Sequence, residues 1–220
     1  MFSSLIERLN ERRDAVGDAG DDAGFTLIEL MVVLLILAIL LAIAIPTFLG
    51  VTKSANDRAA QSNLNTAMLN AKAAYQSNSQ TYTGVTVATL QSAEPGLSFT
   101  ANNSSAQNVV SVFPTTDGNA IVLAAYSKSN NCFYQIDSPG GNTANTAPFA
   151  ANFQMNGVTV PVNTVTTAAA GALTFPSTQA GTMYVEVKGD TTAADCQAST
   201  PKVGASAKQI EWTTTAFPSL

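Results

Sequence analysis

Residues 24–50 read GFTLIELMVVLLILAILLAIAIPTFLG, and Glu29 is the one charged side chain in that run. Residues 30–45 carry no polar side chain at all. As an α-helix, residues 25–49 would extend about 37 Å, enough to cross a hydrocarbon core of about 30 Å. A carboxylate at the centre of a membrane helix costs about 2.5–3.5 kcal/mol on insertion scales, so an acid kept inside such a run calls for a reason. Further along, Pro46 removes one backbone hydrogen bond and crowds the carbonyl of Ala42. Gly50 follows one turn later and adds backbone freedom. Together they predict a kink or a melted stretch over residues 42–50.

The bulk properties narrow the function before any motif is considered. The chain has 220 residues, which suits one compact domain plus a membrane element. Six of its 15 acids and three of its 10 bases lie in residues 1–24. The remainder, nine acids against seven bases, is close to neutral and holds no basic stripe. Binding of nucleic acid by phosphate neutralisation therefore has no support, and no direct nucleic-acid site is evident. There is no His. That removes the commonest general base, the commonest metal ligand and the usual Ser or Cys triad. No nucleophile–base pair, Gly-rich phosphate loop or ligand cluster stands out, so the sequence points to no catalytic residue, no metal site and no cofactor.

A charged leader, then Gly24-Phe25-Thr26-Leu27-Ile28-Glu29, then a long apolar helix, resembles the N-terminus of a type IV prepilin. The resemblance is detailed over residues 24–50 and is one of layout beyond about Tyr75. It implies cleavage by a prepilin peptidase between Gly24 and Phe25, and N-methylation of the new terminal Phe25. It also implies that Glu29 guides assembly of the subunit into a filament. The implied partners are identical or related pilin subunits, the peptidase/methyltransferase, an inner-membrane assembly platform, and membrane lipid before assembly. The implied fold is α+β: a long N-terminal helix packed on a small antiparallel sheet head. The expected organisation is a cleaved leader at 1–24, a membrane and filament-core helix at 25–49, an amphipathic helix at 50–76 and an extracytoplasmic β-rich head at 77–220. Arg8, Arg12 and Arg13 stay on the cytoplasmic side, which places the C-terminal part outside.

Other readings of the same run are weaker. A secretory signal peptide could be cut near Ala42-Ile43-Ala44, but its apolar region is about 7–15 residues, shorter than this one, and Glu29 would be badly placed in it. A permanent single-span anchor explains the length but neither Gly24-Phe25 nor Glu29. Within the pilin superfamily, a pseudopilin of a type II secretion apparatus shares the whole N-terminal pattern. A membrane-tethered enzyme or binding domain is the reading from a different class.

The helix is expected to continue from Val51 to about Tyr75 with amphipathic character. Leu64, Met68, Ala71 and Tyr75 fall on one face at steps of four, three and four. Lys53, Asn56, Asp57, Asn63, Asn70 and Lys72 supply the polar positions, and Asn56-Asp57-Arg58 reads as solvated surface. Residues 76–108 read as a polar connection with weak strand potential at 85–87. Strand signals strengthen at 109–113, 120–126 and 132–136, with Asp117-Gly118 marking a hairpin turn. That is a three-stranded antiparallel meander. Residues 158–162, 183–188 and 210–212 are further strand candidates, and residues 150–177 read as an insertion with short strands. Trp212 is expected as a core or edge anchor. In an exported domain, Cys132 and Cys196 read as one disulfide, with two separate buried thiols as the other reading. Asp190 and Asp195 lack the spaced ligands of a calcium loop and read as a solvated turn.

Overall fold

The computed structural model describes residues 25–141, 147–189 and 192–218. The first element, α1, runs Leu27–Ser77 without a break. The described chain divides between Leu49 and Gly50 into two units. In the first unit every residue from 25 to 49 is exposed. Its apolar window has a mean hydropathy of 3.2 and none of it is buried, so the segment is long and apolar enough to cross a membrane.

Of the kink or melted stretch expected at residues 42–50, the melted form is absent, since the helix runs through Pro46 and Gly50. Beside the proline, the Thr47 hydroxyl donates to the carbonyls of Ile43 at 3.2 Å and Ala44 at 2.9 Å. Its polar group is thus satisfied within the helix.

The second unit has three layers. The central sheet has seven strands in the order β1-β2-β3-β4-β10-β12-β8. These are β1 Ser98–Thr100, β2 Val109–Pro114, β3 Ile121–Tyr126, β4 Cys132–Ser138, β10 Gly181–Lys188, β12 Gln209–Thr213 and β8 Thr166–Thr167. All its pairings are antiparallel except β1 with β2. The meander expected from residues 109–136 is present as β2–β4. The loop between β2 and β3 is closed by Thr115 N–H donating to Ala120 O at 2.9 Å. Gly118 takes φ +71 there, and a Cβ would fall 2.0 Å from Thr81 Oγ1, so only glycine fits this turn.

Both faces of the central sheet are covered. On one face lie Ile121, Leu123, Ala125 and Phe133, packed with Ala60, Leu64, Ala67, Met68 and Ala71 of α1. On the other lie Val122, Ala124, Tyr134, Ile136, Met183 and Val185. These pack against Phe149, Phe153, Met155, Leu173 and Phe175 from the segment read as an insertion. That segment, extended by Phe149 before it and joined by residues 202–203, forms a second sheet in the order β11-β9-β6-β7, with β5 parallel to β9. Its strands are β5 Phe149–Ala150, β6 Gln154–Met155, β7 Val158–Thr159, β9 Gly171–Pro176 and β11 Lys202–Val203. Coverage on both sides explains why β4 is buried along its whole length. The fold is thus α+β as expected, but the sheets are mixed rather than purely antiparallel, and there are two of them. The expected strand at 158–162 shrinks to two residues.

Residues 76–108 hold more structure than expected. The weak strand potential at 85–87 gives no strand; instead a short helix, α2 Val87–Ala93, begins at its last residue. Thr86 caps it: Thr86 Oγ1 accepts from Thr89 N–H, and Thr89 Oγ1 accepts from Thr86 N–H at 2.8 Å. This reciprocal cap uses Thr at the position where Glu or Gln is the usual signal. Trp212 stands where an anchor was expected, buried, with Nε1 donating to Val160 O at 2.9 Å and the ring stacked on Phe153.

Candidate functional site

The start of α1 is where the sequence concentrates its chemistry. Gly24 and the leader lie outside the described residues. Phe25 is 83% exposed. Thr26 and Glu29 form a reciprocal cap on the helix. Thr26 N–H donates to Glu29 Oε2 at 2.9 Å, Thr26 Oγ1 donates to the same oxygen at 2.8 Å, and Glu29 N–H donates to Thr26 Oγ1. Thr-x-x-Glu ahead of an apolar run is the sequence signature of this cap. The carboxylate also sits where the helix dipole favours negative charge. Glu29 therefore has a local role that the sequence reading missed, although Thr26-Leu27-Ile28-Glu29 carried the signal.

Behind this turn, Leu30, Met31, Leu34, Leu35, Leu41 and Ile43 are each more than half exposed. An apolar helix surface of this length is stable in lipid or against other apolar helices, not in water. The segment can therefore hold the chain in a membrane and can pack against like helices. Pro46 and Gly50 both lie within the helix, as described above.

Within the second unit, polar contacts pin α1 to the sheet. Lys72 Nζ lies 2.9 Å from Asp137 Oδ1. Tyr82 OH donates to Asp137 Oδ2 at 2.5 Å, and Thr182 Oγ1 donates to Asp137 Oδ1 at 2.8 Å. Burial and the adjoining carboxylate push the Tyr82 hydroxyl far above its ordinary pKa. It stays protonated and acts only as a donor. About four turns toward the N-terminus of α1, Asp57 accepts from Ser129 Oγ and from Asn131 Nδ2. This corrects the reading of Asn56-Asp57-Arg58 as solvated surface at Asp57, whereas Arg58 is exposed as expected. Asp57 is half-buried because its donors sit in the turn between β3 and β4, which sequence spacing alone does not place near α1.

Cys132 and Cys196 are joined as a disulfide across a sequence separation of 64. Cys132 opens β4, and Cys196 follows a 3-10 turn at Ala193–Asp195. Asp190 lies outside the described residues. Asp195 accepts from Thr192 Oγ1 at 2.6 Å. Among the described residues no group of three His, Cys, Asp or Glu side chains is placed to hold a metal ion.

Residues 21–45 match the family described as the prokaryotic N-terminal methylation motif. This match spans Gly24, Phe25, Thr26 and Glu29 and most of the apolar segment. The chain thus carries a motif that is the hallmark of type IV pilins and pseudopilins. The motif and the exposed apolar helix together suggest a membrane-anchored protein. No curated protein and no solved structure matches the chain.

Proposed function

We propose that the protein is the structural subunit of a type IV pilus filament. The observation that carries the reading is the methylation motif at residues 21–45, set on an apolar helical segment that is exposed throughout residues 25–49. Held in the membrane by residues 25–49, the precursor is cut after Gly24. The cut frees an α-amino group on Phe25, positive at neutral pH, which is then methylated. Glu29 of an incoming subunit pairs with that amine. Each charge removes the cost of leaving the other unpaired in apolar surroundings. Packing of the apolar helices supplies the cohesion of the filament, and the β-rich unit forms its surface.

The same motif stands on pseudopilins, whose filament stays within the cell envelope, so two measurements are needed. Mass spectrometry of the N-terminal peptide tests processing, with a chain beginning at methylated Phe25 as the expected result. A purified filament that retains Met1 would overturn it. Immunogold labelling of intact cells then separates a surface pilus from an internal piston.

A further inference from the structure

The second unit holds a cavity of about 390 Å³ at the end nearest Gly50 in the chain. Three of its lining residues are Lys53, Lys188 and Lys208. The chain has only six lysines, and nine acids outweigh seven bases after residue 24, so this concentration is local and against the average. The fold builds it. Lys53 comes from α1, and Lys188 ends β10. Lys208, just ahead of β12, donates its N–H to Lys188 O at 2.8 Å, which sets the backbones of the two lysines side by side. Gly189, at φ +83, leaves room for the Lys208 stem: a Cβ there would fall 3.1 Å from Lys208 Cγ and Cδ. Two acids face the lysines. Asp57 lines the cavity and is already engaged by Ser129 and the buried Asn131. Glu186, two residues before Lys188, is buried, and burial raises its pKa to about 7, so its opposing charge is incomplete at neutral pH.

The position along α1 identifies the occupant. Gly50 is the residue after the apolar segment ends, and Lys53 lies about 6 Å beyond Leu49 at the helical rise. Side chains at that point meet the headgroup layer of any bilayer that residues 25–49 span. We propose that Lys53, Lys188 and Lys208 bind the phosphate of an anionic phospholipid headgroup before assembly. The lipid then holds the β-rich unit against the membrane surface, and assembly requires its release. This rests on the membrane-anchored reading, not on the identity of the filament.

The test uses the full chain in vesicles of phosphatidylcholine, with and without phosphatidylglycerol, and acetylation of lysines read by mass spectrometry. Lys128 and Lys202 lie outside the cavity and serve as internal controls. Phosphatidylglycerol should slow labelling of Lys53, Lys188 and Lys208 by about fivefold, leave the controls unchanged, and lose its effect at high salt. Inorganic phosphate added to phosphatidylcholine vesicles should give no protection. Equal labelling in both vesicles overturns the proposal. So does equal protection by inorganic phosphate, which would make this a free-anion site. Protection confined to assembled filaments would assign the lysines to a neighbouring subunit instead. Carbonate extraction of the same vesicles reports the anchor separately: a retained chain without protection defeats only the lipid site, whereas an extracted chain defeats both.

Discussion

Glu186 is a buried acid whose side chain lies on the helix-facing side of the central sheet, directly across from Glu211. Burial is the main cause that lifts its pKa from 4.5 to about 7; Asp57 and Glu211 raise it further, and Lys188 and Arg58 oppose them. The folded state therefore binds this proton more tightly than the unfolded state does. Between about pH 4.5 and about 7 the unfolded chain has lost the proton and the folded chain keeps it, so stability falls as pH rises through that window. Above it both states are ionised, and the full penalty for a charged buried group remains. Glu186→Gln cannot ionise, so the variant should be the more stable protein above neutrality, by up to about 3 kcal/mol, and nearly equal to the parent at pH 4. Urea denaturation across that range checks it. A parent and variant with parallel profiles would show that Glu186 ionises normally. Nothing in the sequence around Tyr184-Val185-Glu186 announced this. Alternation places Glu186 on one face, but only the docking of α1 makes that face dry.

At the scale of elements, the join between α1 and the central sheet rests on apolar packing plus the Lys72, Tyr82, Asp137 and Thr182 cluster. Asp137→Ala leaves the buried Tyr82 hydroxyl without its acceptor and Lys72 without its partner, and should cost about 2–4 kcal/mol. Lys72→Met should cost less, about 1 kcal/mol, because the Lys72 side chain is 41% exposed and its charge is screened. Equal losses in the two variants, read from denaturation midpoints, would contradict the assignment of Asp137 as the centre of the cluster. The disulfide makes a second tie, from β4 to the segment leading into β11. Its loop of 64 residues predicts a loss of about 4 kcal/mol for Cys132→Ser with Cys196→Ser on the chain-entropy account. An unchanged midpoint after reduction would mean that packing alone holds that segment. These elements were not equally legible. The long helix, the β2–β4 meander and the Asp117-Gly118 turn were open to reading, because apolar periodicity and turn chemistry are local signals. The Cys132 and Cys196 pairing followed from compartment and number rather than geometry. The second sheet was not legible. Its strands β5, β6, β7 and β11 are two residues long, and most of it lies in low-charge Ala, Thr and Asn sequence, so no period shows. Their register comes from packing Phe149, Phe153 and Phe175 on the central sheet. The lysine cavity and the Asp57 contacts were hidden for the same reason: each joins residues far apart in the chain.

For the whole molecule, the question is how one carboxylate serves both a single subunit and an assembly. Glu29 caps its own helix through Thr26, and the proposed filament asks it to neutralise a neighbour's terminal amine. The two roles need different chemistry. Capping needs only an acceptor at that position, which an amide oxygen supplies as well as a carboxylate does. Charge pairing needs the carboxylate. Glu29→Gln therefore keeps the cap and removes the charge, whereas Glu29→Ala removes both, at a capping cost of about 1 kcal/mol. Both variants should still enter the membrane, since each removes a charge that opposes insertion. Both should still be cut at Gly24, because the peptide bond being cut is unchanged. If pairing drives assembly, both should leave processed subunit in the membrane fraction and almost none in sheared filaments. The informative result is the comparison between them. Normal filament yield from Glu29→Gln, with loss only in Glu29→Ala, would place the requirement in the first helical turn rather than in the charge. Abundant filament from both would remove Glu29 from assembly altogether and leave the apolar helix as the sufficient cause. Failure of both alike, with the mature N-terminus intact, is the outcome that the pairing mechanism requires.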